Sequence, residues 1–361
     1  MNRKTAKKPK KTACRIADIA AIAGVSTGTV DRVLHNRGKV SKEAQERIQR
    51  VMAEVHYQPG LAAGSSASGK PCRILSLIPA FLPDEYWSKV SDGIRKAEQE
   101  YADFRIEVKH LPFDQYDKNS FDTVIRSIKK TEVQGVIIAT LFRKSVLRLA
   151  QWLDRQKTPY VLMDAWLEDT NCIAYNGTDS FQSGYVGGRL LLEQIRKDDA
   201  VIIFNVMEHT RFESTQCAQR EEGFRSYLSK AGFQGEIHSA FIMAKSPGKN
   251  AQLLDRLIRP RNGYRGGIMF NSRVGMVASW FLKREMFDFV LVGYDAIKAN
   301  IPYLKNGIVS HLIAQRPEAQ GYNSIKALFH HLVLKQPVEQ MNYMPIDILV
   351  KENIDYYNNY I

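Results

Sequence analysis

Cysteine is scarce in this chain, with four in 361 residues, at positions 14, 72, 172 and 217, and with no metal-ligand spacing among them. That excludes a disulfide scaffold and a cysteine-ligated zinc module, and buried thiols in a reducing cytoplasm are expected instead. Long hydrophobic runs are also absent. Nothing approaches the roughly 18 apolar residues that a membrane-spanning helix needs. The opening MNRKTAKKPKKT has no apolar run, so no secretory leader is expected and this arm is read as a basic tail. Catalytic signatures are missing as well: no GxGxxG after a strand, no P-loop, no GxSxG elbow and no HExxH. An enzyme is therefore not expected, nor a cofactor or a metal. The glycine cluster GYVGGR at 184–189 falls inside a predicted helix and reads as close packing. No heptad tail follows residue 340, which argues against a tetramerising coiled coil.

What is present is an uneven charge. The chain carries a net +13, and residues 1–70 hold 14 Lys and Arg against 5 Asp and Glu. A small basic head on a nearly balanced body is the electrostatic footprint of a module that binds nucleic acid.

The head, residues 15–59, is predicted as three short helices. Ile16, Ile19, Ala20 and Ala23 fall on one helical face, and Gly24 stands where a left-handed stop belongs. Ser26 is placed to cap a second helix, Thr27–Leu34, whose Val30, Val33 and Leu34 face inward. Thr27, Gly28, Asp31 and Arg32 are left outward. Ser41 is placed to cap a third helix with Ala44, Ile48, Val51, Met52 and Val55 on its apolar stripe. Two helices about a Gly-Val-Ser turn, with a third behind them, form a helix-turn-helix layout suited to the major groove of B-DNA. Residues 60–70, GLAAGSSASGK, lack large core formers and read as a hinge or linker, after a basic arm at 1–14.

The segments DIAAIAGVS, TVDRVL, VS and the closing Tyr57-x-Pro59 resemble the N-terminal domain of the lactose-repressor (LacI-type) transcription factors. The resemblance implies that Thr27, Gly28 and Arg32 hold the base-reading positions, with Arg32 best suited to a bidentate contact with guanine. Gly28 supplies no side-chain readout. Asp31 either accepts from a cytosine amine or pairs with Arg32 or a lysine, and pairing is favoured. Ser26, Lys39 and Ser41 are placed for phosphates, and Arg15, Thr29 and Tyr57 complete the DNA-facing set. The family's hinge wedges a leucine into a minor-groove step. Here Ser66 holds the usual wedge position, Gly64 lowers helix propensity, and Leu61 is the bulky apolar residue left for that role.

The body, 71–361, alternates apolar runs (74–80, 135–140, 160–164, 200–206, 266–270 and 289–295) with amphipathic segments. Such alternation predicts parallel sheets covered by helices on both faces. Its order and length resemble the type I periplasmic sugar-binding fold, with two Rossmann-like lobes joined by three crossovers. The first lobe is expected over 72–176 and 316–340, the second over 177–315 and 341–361.

Ligands in open α/β sheets lie beyond the carboxyl ends of the strands. Asp164 follows YVLM, Asn271 follows GGIMF, Asp295 follows FVLVGY, and Gln315 follows the short run IVSHLIA. Arg220 opens REEGF, and Tyr86-Trp87 sit in the first βα connection. Singly, each has an ordinary explanation, such as a helix cap or a surface ion pair. Together, by the resemblance, they match in order the residues that grip a sugar, and carboxylates, an Arg, amides and an aromatic face suit a polyol. Ala165-Trp166 and Ser272 depart from that pattern. The expectation is a cytoplasmic homodimer that binds a double-stranded operator and answers to a sugar-like effector. The alternatives are a purine or phosphorylated-sugar effector, the latter favoured by Arg211, Arg220 or Arg273, and a cleft that has lost its ligand.

Overall fold

A computed structural model describes residues 16–34, 37–38, 40–54, 71–208, 214–259 and 263–357. It divides into two compact units, residues 1–71 and 72–361.

The head contains α1 (Ile16–Ala23), α2 (Thr27–Leu34) and α3 (Lys42–Glu54). Gly24 takes the left-handed conformation at φ +65° and turns the chain between the first two. The Ser26 hydroxyl accepts from the Thr29 amide at 3.1 Å, and that of Ser41 from the Ala44 amide at 3.3 Å, so both serines cap a helix. Ile19, Val30 and Ile48 are fully buried among Ala20, Ala23 and Val51. Each such aliphatic side chain contributes about 1.5–3 kcal/mol by leaving water.

The body holds two six-stranded sheets. The first contains β1 (Cys72–Leu77), β2 (Ile106–His110), β3 (Gly135–Ala139), β4 (Tyr160–Met163), β5 (Ala174–Gly177) and β11 (Met341–Tyr343). Its order is β11-β5-β4-β3-β1-β2, parallel throughout. The second contains β6 (Ala200–Met207), β7 (Ile237–Met243), β8 (Tyr264–Ile268), β9 (Val290–Tyr294), β10 (His311–Ala314) and β12 (Asp347–Leu349). Its order is β12-β10-β9-β8-β6-β7, with β12 alone antiparallel. Every residue of β3 and β4 is buried, as expected of central parallel strands covered on both faces.

The flanking helices are α4 (Tyr86–Glu100), α5 (Lys118–Ile128), α6 (Arg143–Gln156), α7 (Ser180–Leu192), α8 (Thr215–Lys230), α9 (Pro247–Leu257), α10 (Gly275–Leu282), α11 (Ile301–Lys305) and α12 (Pro317–Leu332). The chain changes sheet three times, after β5, β10 and β11. One boundary differs from the sequence reading, which placed 341–361 wholly in the second lobe. Met341–Tyr343 instead pairs with Tyr175–Gly177 in the first sheet. A three-residue strand has too little periodicity to announce its partner. The weaker strands β2, β5 and β7 also fall outside the six apolar runs of the sequence.

Each lobe has one very close helix crossing. A Cβ at Gly184 of α7 would lie 1.9 Å from the Arg220 carbonyl oxygen of α8, and one at Gly223 the same distance from that of Phe181. The glycine-rich stretch at 184–189 is thus a packing surface. In the first lobe, Gly93 of α4 and Gly321 of α12 face backbone oxygens at 1.9 and 2.1 Å in the same way.

Candidate functional site

Asp164 immediately follows β4 and Asp295 immediately follows β9. Both are in the left-handed region, at φ +83° and +66°. Aspartate tolerates that conformation better than most residues, yet strain held at two strand ends marks a site that the surrounding structure has been built to hold. Neither is a helix cap. The side-chain caps in the body come from Asp117, Asp179 and Ser214.

Between the lobes lies a cavity of about 90 Å³. Of the residues singled out from sequence, Tyr86, Trp87, Asp164, Asn271, Asp295 and Gln315 line it. Tyr86 and Trp87 open α4 with their rings edge to face at 5.0 Å, and the Tyr86 hydroxyl donates to Gln320 at 3.3 Å. Arg220 is fully buried. It donates to the Phe270 carbonyl at 2.7 Å and to Gln315 Oε1 at 3.0 Å, and its guanidinium stacks 4.0 Å from the Tyr294 ring centre. Its Nε has no partner among the described residues. Gln315 in turn donates to Asp295 Oδ1 at 3.0 Å. The Asp164 carboxylate takes no hydrogen bond from any described residue.

Burial dominates the electrostatics. It pushes the Asp164 carboxyl up to about 7, with Arg220 pulling it back and Asp295 raising it further. Asp295 is pushed up to about 6, again by burial, and is held lower by Arg220 and by the bond from Gln315. Two carboxyls share one cation in a dry place, so their charge is only partly compensated by the protein. Hydroxyl donors would relieve it.

The structure adds residues the sequence did not single out. Tyr116, Asn205, Gln216 and Cys217 also line the cavity. Gln216 and Cys217 sit inside a helix, Asn205 inside a strand and Tyr116 in a turn, so none is the polar residue directly after an apolar run. Buried Asn300 ties the floor together: it donates to the carbonyls of Ser272, Tyr294 and Asp295 and accepts from the Gly275 amide. Arg273, a candidate phosphate ligand by sequence, is paired across the cleft with Glu85 at 3.1 Å. Arg211 lies outside the described residues.

In the head, Ser26, Thr27, Gly28, Asp31, Arg32 and Ser41 are exposed and Thr29 is half-buried. Arg15, Lys39, Tyr57 and Leu61 lie outside the described residues, as does the whole hinge at 60–70. Among the described residues no group of three His, Cys, Asp or Glu side chains is placed to hold a metal, and no helix is long and apolar enough to cross a membrane.

Comparison with known proteins connects both units to characterised families. Residues 15–60 match the model for bacterial regulatory proteins of the lacI family, and residues 75–336 that for a periplasmic binding protein domain. The ribose operon repressor of Halalkalibacterium halodurans is 22% identical over 93% of this chain and 96% of its own length. The HTH-type transcriptional repressor PurR of Vibrio campbellii is 25% identical over 94% of this chain and 98% of its own length. The match to the sucrose operon repressor of Staphylococcus xylosus, at 29% identity, spans 62% of this chain and 64% of that one. Among solved structures, a Bacteroides fragilis protein assigned to the LacI transcriptional regulators is 36% identical, with a TM-score of 0.76, over 80% of this chain and 100% of its own. A glucose-galactose binding protein of Geobacillus stearothermophilus shares the fold, at 17% identity and a TM-score of 0.68, over 79% and 99%.

Proposed function

Because this chain belongs to the lacI family of bacterial regulatory proteins and is a ligand-responsive transcriptional regulator, we propose that its effector is an uncharged sugar held between Asp164 and Asp295. The observation that carries this reading is the pair of buried carboxyls, one from each lobe, facing one cavity. Sugar hydroxyls donate to carboxylates, the amides of Asn271 and Gln315 complete the ring's polar edge, and Tyr86 and Trp87 cover its apolar face. A phosphorylated sugar is disfavoured. Arg220 is already committed to Phe270, Gln315 and Tyr294, Arg273 is paired with Glu85, and a phosphate would meet two carboxyls.

A ligand that touches both lobes favours the closed body over the open one, and that difference is its means of shifting operator affinity. Couplings of this kind are typically about 1–3 kcal/mol, so the effector changes operator affinity by about 5- to 150-fold. The body pairs two chains, so that two heads cover a symmetric operator. Arg32 reads a base, and Lys39 holds a phosphate. Control of carbohydrate genes in the cytoplasm follows from the effector class.

The test is a thermal-shift and operator-binding screen against pentoses, hexoses, their phosphates and purines. A free sugar should raise the melting temperature and move operator affinity, and it should lose both effects in Asp164→Ala and Asp295→Ala. A response confined to sugar phosphates or to purines defeats the reading. In the head, Arg32→Ala should cost about 1–3 kcal/mol of discrimination between operator and random DNA. Lys39→Ala should lower the salt slope by about one unit.

A further inference from the structure

The first turns of α8 do more than present Arg220. Three of their residues, at positions 215, 216 and 219, share a helical face and donate to main-chain carbonyls of the other lobe. The Thr215 amide and hydroxyl both reach the Leu141 carbonyl at 3.3 Å. Gln216 Nε2 reaches that of Asp164 at 3.0 Å, and Gln219 Nε2 that of Trp166 at 3.2 Å. The acceptors lie in the connections after β3 and β4, at the cleft itself. Gln216 also donates to Gln315 Oε1 at 3.2 Å, the atom that accepts from Arg220, while Gln315 Nε2 holds Asp295. One unbroken chain of hydrogen bonds thus runs from the Asp164 main chain through Gln216 and Gln315 to the Asp295 carboxylate.

We propose that Thr215, Gln216 and Gln219 form a clasp that sets the ratio of closed to open body, and that Gln216 is the positioning residue that couples closure to the orientation of Gln315 and Asp295. The proposal rests on the reading of the cleft as the effector site. The clasp differs in kind from the ion pairs at the rim, Glu85–Arg273 and Asp84–Lys298, whose partners are partly exposed. Gln216 is 6% exposed and its acceptor is main chain, so salt screens the clasp little. When the lobes part, its donors and acceptors all regain water, and each lobe keeps its own core. Loss of the clasp therefore moves an equilibrium between two folded forms and leaves the stability of each lobe in place. An effector that binds the closed form then binds more weakly in proportion to the lost closed fraction.

Gln219 does not line the 90 Å³ cavity, so its substitution separates clasp from ligand contact. Gln219→Met and Gln216→Met keep the length of the side chain and remove the donor. The experiment uses the full chain, with small-angle scattering of the unliganded protein, melting temperature, and operator-binding titrations with D-ribose, D-arabinose, D-glucose and D-galactose. In Gln219→Met the scattering should shift toward the more extended form at an unchanged melting temperature. The midpoint for whichever sugar acts should weaken by about fivefold for the bond lost, with the saturated response kept. Wild-type scattering and midpoint in both variants overturn the clasp, as does a midpoint loss that only tracks a lowered melting temperature. If none of the sugars moves operator affinity in the wild type, the effector reading fails separately. The unliganded scattering then decides the clasp alone, an opening in both variants supporting it and unchanged curves overturning it.

Discussion

The two lobes of the body are the same frame carrying different chemistry. Their strand orders correspond position by position, β2-β1-β3-β4-β5-β11 against β7-β6-β8-β9-β10-β12. Asp164 and Asp295 occupy equivalent strand ends, β4 and β9, and share a left-handed backbone. The glycine crossings correspond too. Gly321 faces the Val90 carbonyl where Gly184 faces that of Arg220, so Val90 and Arg220 are equivalent positions on α4 and α8. Both are fully buried. By the same register Tyr86 matches Gln216, and each reaches a glutamine, Gln320 or Gln315. The first lobe thus meets the cleft with an aromatic and a valine, the second with an amide and a guanidinium. A shared backbone explains why each lobe offers one carboxylate at the same place. Only the side chains decide which lobe carries the cation.

Making the second lobe like the first is the most damaging way to break this comparison. Arg220→Val leaves two buried carboxyls without their cation and Gln315 Oε1 with Gln216 in place of two donors. Removing one partner of a buried charged network costs about 2–5 kcal/mol. Effector affinity should fall by a factor of about 30 or more, while the head still binds operator. A variant that responds to effector at wild-type concentrations would remove Arg220 from the site.

The glycine crossings sharpen the comparison next. Gly184→Ala and Gly321→Ala each drive a methyl into backbone, and overpacking of this kind costs about 1–3 kcal/mol or more. Both should lower the melting temperature. Only Gly184→Ala should also weaken effector binding, because the atom it displaces belongs to Arg220. Equal effector affinities in the two variants would show that Arg220 does not depend on the crossing.

The paired aspartates predict a pH dependence. Their carboxyls titrate higher in the folded chain than in the unfolded one, so the folded state binds more protons between pH of about 4 and 7. Stability then falls as pH rises through that window. Asp164→Asn removes the penalty and should raise the unliganded melting temperature at pH 8 by an amount worth about 1–3 kcal/mol, while abolishing the effector response. Asp295→Asn should do less, because Gln315 already satisfies part of its charge. Melting curves from pH 4 to 8 that run parallel in wild type and Asp164→Asn would contradict this.

The rim gives the smallest effect. Glu85→Gln removes the cross-lobe pair with Arg273, whose two side chains are 26% and 31% exposed. Partly exposed pairs are worth about 0.2–1 kcal/mol, so the effector midpoint should move less than about fivefold, and less again in high salt. A larger shift would mean that the rim, rather than the α8 clasp, holds the lobes together.

Much of this was readable from residues alone. Local chemistry announces the head: Gly24 has the one conformation the turn needs, Ser26 and Ser41 cap, and the apolar stripe repeats at helical spacing. Buried parallel strands announce the body, since β3 and β4 are continuous apolar runs. Asp164, Asp295, Asn271 and Gln315 stand out because a polar residue directly after such a run lies at the mouth of a sheet. Gln216 does not stand out. It is one polar residue in a helix that is polar over most of its length, TQCAQREEGFRSYLSK. Arg273 misleads for the opposite reason, because its charge looks available until Glu85 is seen beside it.

By itself the sequence determined two units, the class of each, and the strand ends that line the cleft. These follow from interactions between residues a few positions apart, whose periodicity is written along the chain. The tertiary structure decided which charges are committed and which remain open. Arg220 finds Phe270, Gln315 and Tyr294, and Gln216 finds Asp164, across separations of 50 or more residues. Burial and pairing are set by which distant segments the fold brings within about 3 Å, and no local pattern encodes that distance.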